Sequence, residues 1–217
     1  MIHPERIHPR NRKEIQKARF VLYWMQASQR AACNHAMEYA VQQANELHLP
    51  VVVGFGLTDD YPEANERHYA FMLEGLAETQ ANLAKRGIAM VVRRGSPETV
   101  AIELAEDAAL VVCDRGYLRH QVLWRKRLVH SAACRVVEVE SDAVVPAAVV
   151  SDHEEYAART IRGKHMKLWR EYLQTLPTTK VQNDSLNLNL GGLDVTNTDN
   201  LLASLKIDRS VPRSMHY

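Results

Sequence analysis

Apolar positions along the chain fall into five short runs separated by stretches of helical spacing. The first, Arg19-Phe20-Val21-Leu22-Tyr23-Trp24-Met25, is a continuous series of β-formers that suits a strand buried on both faces of a parallel sheet. It leads into a polar turn where Ser28 is expected to cap a helix from about Arg30 to Leu47, with Ala36, Met37, Ala40, Val41, Ala44 and Leu47 on one stripe. Val51 to Leu57 reads as the second strand. A helix from about Ala64 to Lys85 follows, carrying Phe71, Leu73, Leu76, Ala77 and Leu83 near one face and Gly87 at its stop. Ile88 to Arg94 is the third strand. Gly95-Ser96-Pro97 then signals a helix start, with Ser96 as N-cap, Pro97 at the first helical position and an end near Asp107. Ala109 to Asp114 is the fourth strand, Leu118 to His130 a helix with Val122, Leu123 and Leu128 inward, and Cys134 to Val139 the fifth strand.

Five strands alternating with four helices predict an α/β fold, a Rossmann-like doubly wound parallel sheet with helices on both faces, because parallel neighbours require crossovers. Two strand orders satisfy the alternation, 3-2-1-4-5 and 2-1-3-4-5. In the first, a crevice opens between the carboxyl ends of strands one and four and brings Met25 to Arg30 beside Cys113-Asp114-Arg115-Gly116. Beyond the fifth strand, Val144-Val145-Pro146 is extended, Asp152 to Ala158 is expected as a short helix, and Ile161 to Leu176 as a longer one. The organisation that follows is a flexible lead over residues 1–18, an α/β domain over 19–140, an extended segment with helices closing it over 141–176, and a polar linker over 177–217.

Composition narrows the class. Apolar residues make up 46% and charged residues 24%, as in soluble globular proteins, and a net charge of +1 gives no global case for nucleic acid. Cys33, Cys113 and Cys134 are odd in number, widely spaced and not preceded by a secretory signal, which points to a reducing cytoplasm. No apolar run approaches the roughly 20 residues of a membrane span. The chain has no Gly-x-Gly-x-x-Gly after the first strand and no Gly-x-x-x-x-Gly-Lys-Ser/Thr loop, so neither a glycine-bound dinucleotide nor the usual nucleoside triphosphatase is indicated. The ten histidines show no metal-ligand spacing, and no metal site is expected.

Carboxylates gather at the carboxyl edge of the sheet: Asp59-Asp60 follow strand two and Asp114 ends strand four. Their ordinary role is turn and cap chemistry. The functional reading has Asp114 accepting hydrogen bonds from a bound heterocycle, with Met25 and its turn as apolar walls. Arg159, Arg162, Lys164 and Lys167 spread charge over a broad helix face that suits phosphate contacts or plain solvation.

Tyr23-Trp24-Met25, Ser28-Gln29-Arg30-Ala31 and Asn34 resemble the Tyr-Trp-Met, Asp-Gln-Arg and Asp-Asn-Trp-Ala signature of the class II DNA photolyases. So, in order, do Pro50-Val51-Val52-Val53 with Leu57-Thr58-Asp59, Arg67 and Tyr69 with Phe71-Met72-Leu73-Glu74-Gly75-Leu76, Arg94-Gly95 with Pro97, and Val144-Val145-Pro146. The most specific match is Glu155-Tyr156-Ala157-Ala158-Arg159-Thr160-Ile161-Arg162-Gly163-Lys164. The resemblance spans roughly Phe20 to Leu176.

The resemblance implies an N-terminal antenna domain of strand order 3-2-1-4-5. In the family a linker and a helical domain follow, and the helical domain holds FAD and the dimer-binding cavity. This chain matches the first part only, so its catalytic residues are expected to be absent and the isolated chain inactive. The whole protein would split cyclobutane pyrimidine dimers in damaged DNA by light-driven electron transfer from reduced FAD. The antenna domain would supply excitation through a second chromophore, a deazaflavin, held by Met25, Arg30, Asn34, Phe55, Cys113, Asp114 and Arg115. The surface that meets the helical domain would be left uncovered, so some self-association is expected.

This sequence departs from the family pattern at Ser28 and Cys33, where Asp is usual, and at His35, where Trp is usual. Losing two carboxylates beside Arg30 predicts that its guanidinium is exposed or paired with another acceptor. Two readings stand as alternatives. One is a non-enzymic nucleotide-binding module of universal-stress-protein-like architecture. The other is a structural or partner-binding relic.

Overall fold

The computed structural model describes residues 2–213; Met1 and residues 214–217, the far ends of the expected lead and linker, lie outside the described residues. The five apolar runs form five parallel strands, and the lead adds a sixth at the sheet edge: β1 (Ile7–Pro9), β2 (Phe20–Trp24), β3 (Val51–Leu57), β4 (Ala89–Arg94), β5 (Ala108–Asp114) and β6 (Arg135–Val139). Their spatial order is β1-β6-β5-β2-β3-β4. The parallel strands therefore follow 3-2-1-4-5, with β1 added antiparallel to β6.

The sheet is apolar on both faces because helices cover both. Strand residues alternate between them. Val21, Tyr23, Val53, Phe55 and Val112 pack under α1 (His35–Glu46) and α2 (Glu66–Ala84). Phe20, Leu22, Trp24, Val52 and Cys113 pack over α3 (Pro97–Ala105) and α4 (Arg119–Ser131). The face used switches between β2 and β5, so the loops leaving their carboxyl ends diverge and leave a crevice.

The boundaries differ from sequence expectation where side chains outside the element decide them. Residues 26–33 form a loop rather than the first turns of α1, which begins at His35 with Asn34 as N-cap. Phe71 is 71% exposed on α2, and Leu123 is 47% exposed on α4. Among described residues of α4, Leu128 alone is buried. Asp152 to Ala157 is irregular; helix forms instead as α5 (Ala147–Val150) and α6 (Ala158–Tyr172).

The expected flexible lead is tied down. Arg6 is 1% exposed, and its guanidinium donates to the carbonyls of Glu140 (3.2 Å), Ala143 (2.9 Å) and Val144 (2.5 Å). A charge so buried needs such acceptors. The segment expected as a linker is laid along the domain. Its Thr179 N–H donates to Glu38 (2.6 Å), and Leu193 N–H to the Val92 carbonyl (2.7 Å). Its one helix among the described residues, α7 (Thr198–Ser204), seats Leu201 and Leu202 on the α1/α2 layer. Among described residues, no helix is long and apolar enough to cross a membrane.

Packing between β3 and α3 depends on Gly56. A methyl group there would lie 2.5 Å from Pro97 Cα, a backbone atom that cannot swing aside. Gly56→Ala should cost about 1–3 kcal/mol by urea unfolding. Gly163→Ala, inside α6 with nothing within 4 Å of the added carbon, should be neutral or stabilising by up to about 1 kcal/mol. An unchanged midpoint for Gly56→Ala would contradict this seating of α3.

Candidate functional site: a cleft at the switch point

The loop leaving β2 is organised by one carboxylate. Asp114, the last residue of β5 and 5% exposed, receives the consecutive backbone N–H groups of Gln26 (3.0 Å), Ala27 (2.9 Å) and Ser28 (2.9 Å) on Oδ2. Its Oδ1 accepts the Tyr23 hydroxyl at 2.7 Å. Asn34 continues the network: Nδ2 donates to the Tyr23 oxygen (2.9 Å) and the Ser28 carbonyl (2.9 Å), while Oδ1 accepts the Met37 N–H (3.0 Å) at the start of α1. Burial raises the Asp114 carboxyl above the ordinary carboxylate range, and the four donors pull against that shift. Burial beside Asp114 also pushes the Tyr23 phenol well up, which keeps it a donor.

Around this loop lies a cleft of about 740 Å³ across the carboxyl ends of β2, β3 and β5. Gln26 and Ala27 form one wall, Phe55 to Thr58 the floor, Tyr69 and Met72 of α2 one side, and Tyr117 and Trp124 the other. At its mouth Tyr61, His120 and Trp124 meet edge to face, with ring centroids 4.9–6.2 Å apart. His120 Nε2 lies 3.1 Å from the Tyr61 hydroxyl. Aromatic and aliphatic walls with a few polar groups, here Gln26, Gln29, Gln121 and Arg115, suit a flat heterocycle with a polar edge.

Of the seven residues expected to hold a chromophore, Phe55 and Arg115 line this cleft. The other five build its frame. Met25 is fully buried in the core rather than forming a wall. Asp114 is saturated by loop donors and does not face a ligand in the cleft. Asn34 caps α1. Cys113 is buried in the layer under α3 and α4, where burial pushes its thiol up. Arg30 is 42% exposed and pairs with Asp142 at 3.2 Å, as the missing carboxylates predicted. Asp142 also accepts the Ser28 hydroxyl at 2.6 Å, and Ser28 lies in the loop rather than at a helix start. Tyr61 and Trp124 line the cleft without having been singled out, and Gln26 and Met72 without having been expected to hold a ligand; their common signal is position, just past a strand end or on the helix facing it. Arg159, Arg162, Lys164 and Lys167 are all exposed on α6, with Lys164 Nζ 2.5 Å from Glu155.

Asp114→Ala would orphan three loop N–H groups and the Tyr23 hydroxyl. It should destabilise the fold by about 3 kcal/mol or more, with amide exchange at residues 26–28 accelerating first. A variant retaining the parent's urea midpoint and slow exchange there would contradict the anchoring role. His35 gives a pH signature. Burial, with Arg6 and Arg30 near, lowers its pKa from 6.5 to about 4, and its Nδ1 is buried without a partner. The unfolded chain takes up this proton first, so stability is full above pH 6.5 and declines as pH falls toward 4. In His35→Phe the decline in urea midpoint between pH 6.5 and 5 should be smaller, and superimposable pH profiles would contradict the assignment.

Residues 21–182 match the family model described as DNA photolyase. A deoxyribodipyrimidine photo-lyase of Methanothermobacter thermautotrophicus is 44% identical over 192 residues, which is 88% of this chain and 43% of that protein. The enzymes of the same name from Arabidopsis thaliana and Potorous tridactylus are 36% and 32% identical, with 72% and 88% of this chain covered and 32% and 36% of theirs. The chain thus spans less than half the length of these curated relatives. In fold it is similar to the archaeal photolyase of Sulfolobus tokodaii solved with two FAD molecules, at a TM-score of 0.65, 16% identity, and coverage of 89% of this chain and 43% of that one. It is also similar to a class III photolyase of Agrobacterium tumefaciens, at a TM-score of 0.58, 17% identity, and coverage of 84% and 38%. Family model and relatives together show that this chain belongs to the DNA photolyase family.

Proposed function

We propose that the chain is the light-harvesting part of a class II photolyase that repairs cyclobutane pyrimidine dimers, and that the cleft holds its antenna chromophore, a deazaflavin. The observation that carries this reading is the cleft itself, about 740 Å³ of aromatic and aliphatic surface at the switch point of the sheet. The class rests on the Tyr23-Trp24-Met25 and Glu155 to Lys164 motifs. Phe55, Met72 and Trp124 would hold the ring, and Gln26, Gln121 and Arg115 its polar edge. Such a group supplies one thing when bound, absorption of light and transfer of the excitation. This chain's own residues bind and orient the ring. The aromatic cluster at the mouth keeps water from it.

FAD and the repair chemistry belong, in this reading, to the part of the longer relatives that this chain does not span. Damaged DNA is a partner of the whole cytoplasmic protein, with Arg159, Arg162, Lys164 and Lys167 as phosphate contacts. Tyr156 (96% exposed), just before α6, and Met166 (58% exposed) on it form apolar surface through which a helical domain, or a second copy of the chain, docks.

Titrating the chain with a deazaflavin should give a red-shifted, quenched chromophore with micromolar or tighter affinity, and Trp124→Ala should weaken it about tenfold. Absence of binding by both a deazaflavin and a flavin at micromolar concentration would overturn the antenna reading.

A further inference from the structure

On the far side of β6 from the switch point, a second cavity of about 390 Å³ lies between the N-terminal lead and α4. Its lining draws on two segments more than a hundred residues apart: Arg10 and Lys13 from the lead, and Arg125, Lys126 and His130 from α4, over an apolar floor of Val122 and Val129. We propose that this groove binds the phosphate backbone of nucleic acid, as a contact surface separate from both the cleft and α6.

Charge imbalance is the first argument. Four formal cations line the groove, and the buried carboxylate that two of them contact is Glu138, 2.7 Å from Arg125 and 3.9 Å from Arg10. Glu138 is also engaged by Arg115 at 3.4 Å, so it cannot neutralise them all. Lys13 donates to the carbonyls of His130 and Ala132 at the end of α4, which fixes its ammonium at the groove wall. Lys126 is exposed and has no ion-pair partner among the described residues. Helix α4 carries Arg119, Arg125, Lys126 and Arg127 and no acidic residue. In a chain of net charge +1 this is a local excess, and a concave surface of one sign focuses its field.

Geometry is the second. Val122 to His130 spans nine residues of helix, a rise of about 12 Å, which along a duplex axis corresponds to about three base-pair steps. The apolar floor offers a surface for sugars. An acidic peptide added as a strand is disfavoured, because the outer edge here is β1, where Pro9 has no N–H to give it.

The test is fluorescence anisotropy of the chain with a short labelled undamaged DNA duplex across a series of NaCl concentrations. Binding should weaken with salt at a log–log slope of about −0.9 per neutralised phosphate. Arg10→Gln with Lys126→Gln should reduce that slope by about 1.8. Lys126→Gln alone, at an exposed position, should take about half of this while leaving the unfolding midpoint unchanged. Arg159→Gln with Arg162→Gln should leave the groove's contribution in place. No binding at low salt, an unchanged slope in the groove variants, loss of binding in the α6 variant alone, or equal competition by polyglutamate would each overturn the proposal. None of these outcomes bears on whether the cleft holds a chromophore.

Discussion

Three consecutive backbone N–H groups converge on one buried carboxylate, and the cleft depends on that contact. A carboxylate cannot be buried without donors, and a loop crossing the top of a sheet cannot leave its amides unpaired. Asp114 and residues 26–28 each solve the other's problem. The result is a loop held down over β5 rather than wound into α1. Because Tyr23 and Asn34 extend the same network to the helix start, β2, β5 and α1 are fixed to one another at the point where the sheet changes face.

Local pattern was enough for the parallel part of the fold. Continuous β-branched runs such as Val51 to Val53 mark doubly covered strands, and Gly95-Ser96-Pro97 marks the start of α3. The strand order was open from periodicity, and the family resemblance resolved it. The lead and the segment after Pro177 were not legible, because their order comes from partners far away in sequence. Arg6 is held by carbonyls near residue 140, and Leu193 by Val92. The site was half legible. The motif residues Met25 and Asn34 and the strand-end carboxylate Asp114 proved to be the frame, while Tyr61 and Trp124 belong to no short pattern and come together with Met72 only when α2 and α4 face each other across the sheet edge.

The turn after β2 draws its acceptor from outside itself. Ser28 and Arg30 both turn to Asp142, a carboxylate from beyond β6, so Arg30 keeps an acceptor without either of the usual acids. An exposed pair of this kind adds little stability by itself. Its effect is positional, since it ties the loop over β2 to the segment after β6 and so closes one end of the cleft, which Asp142 lines.

The most direct measurement is a crystal structure of the chain soaked with a deazaflavin. The expected result is a ring lying between α2 and α4 against Phe55 and Trp124, with Asp114 still bound to the three loop amides. A ring that displaces those amides to reach Asp114, or that seats anywhere outside the cleft, would contradict the division between frame and wall on which the functional reading stands.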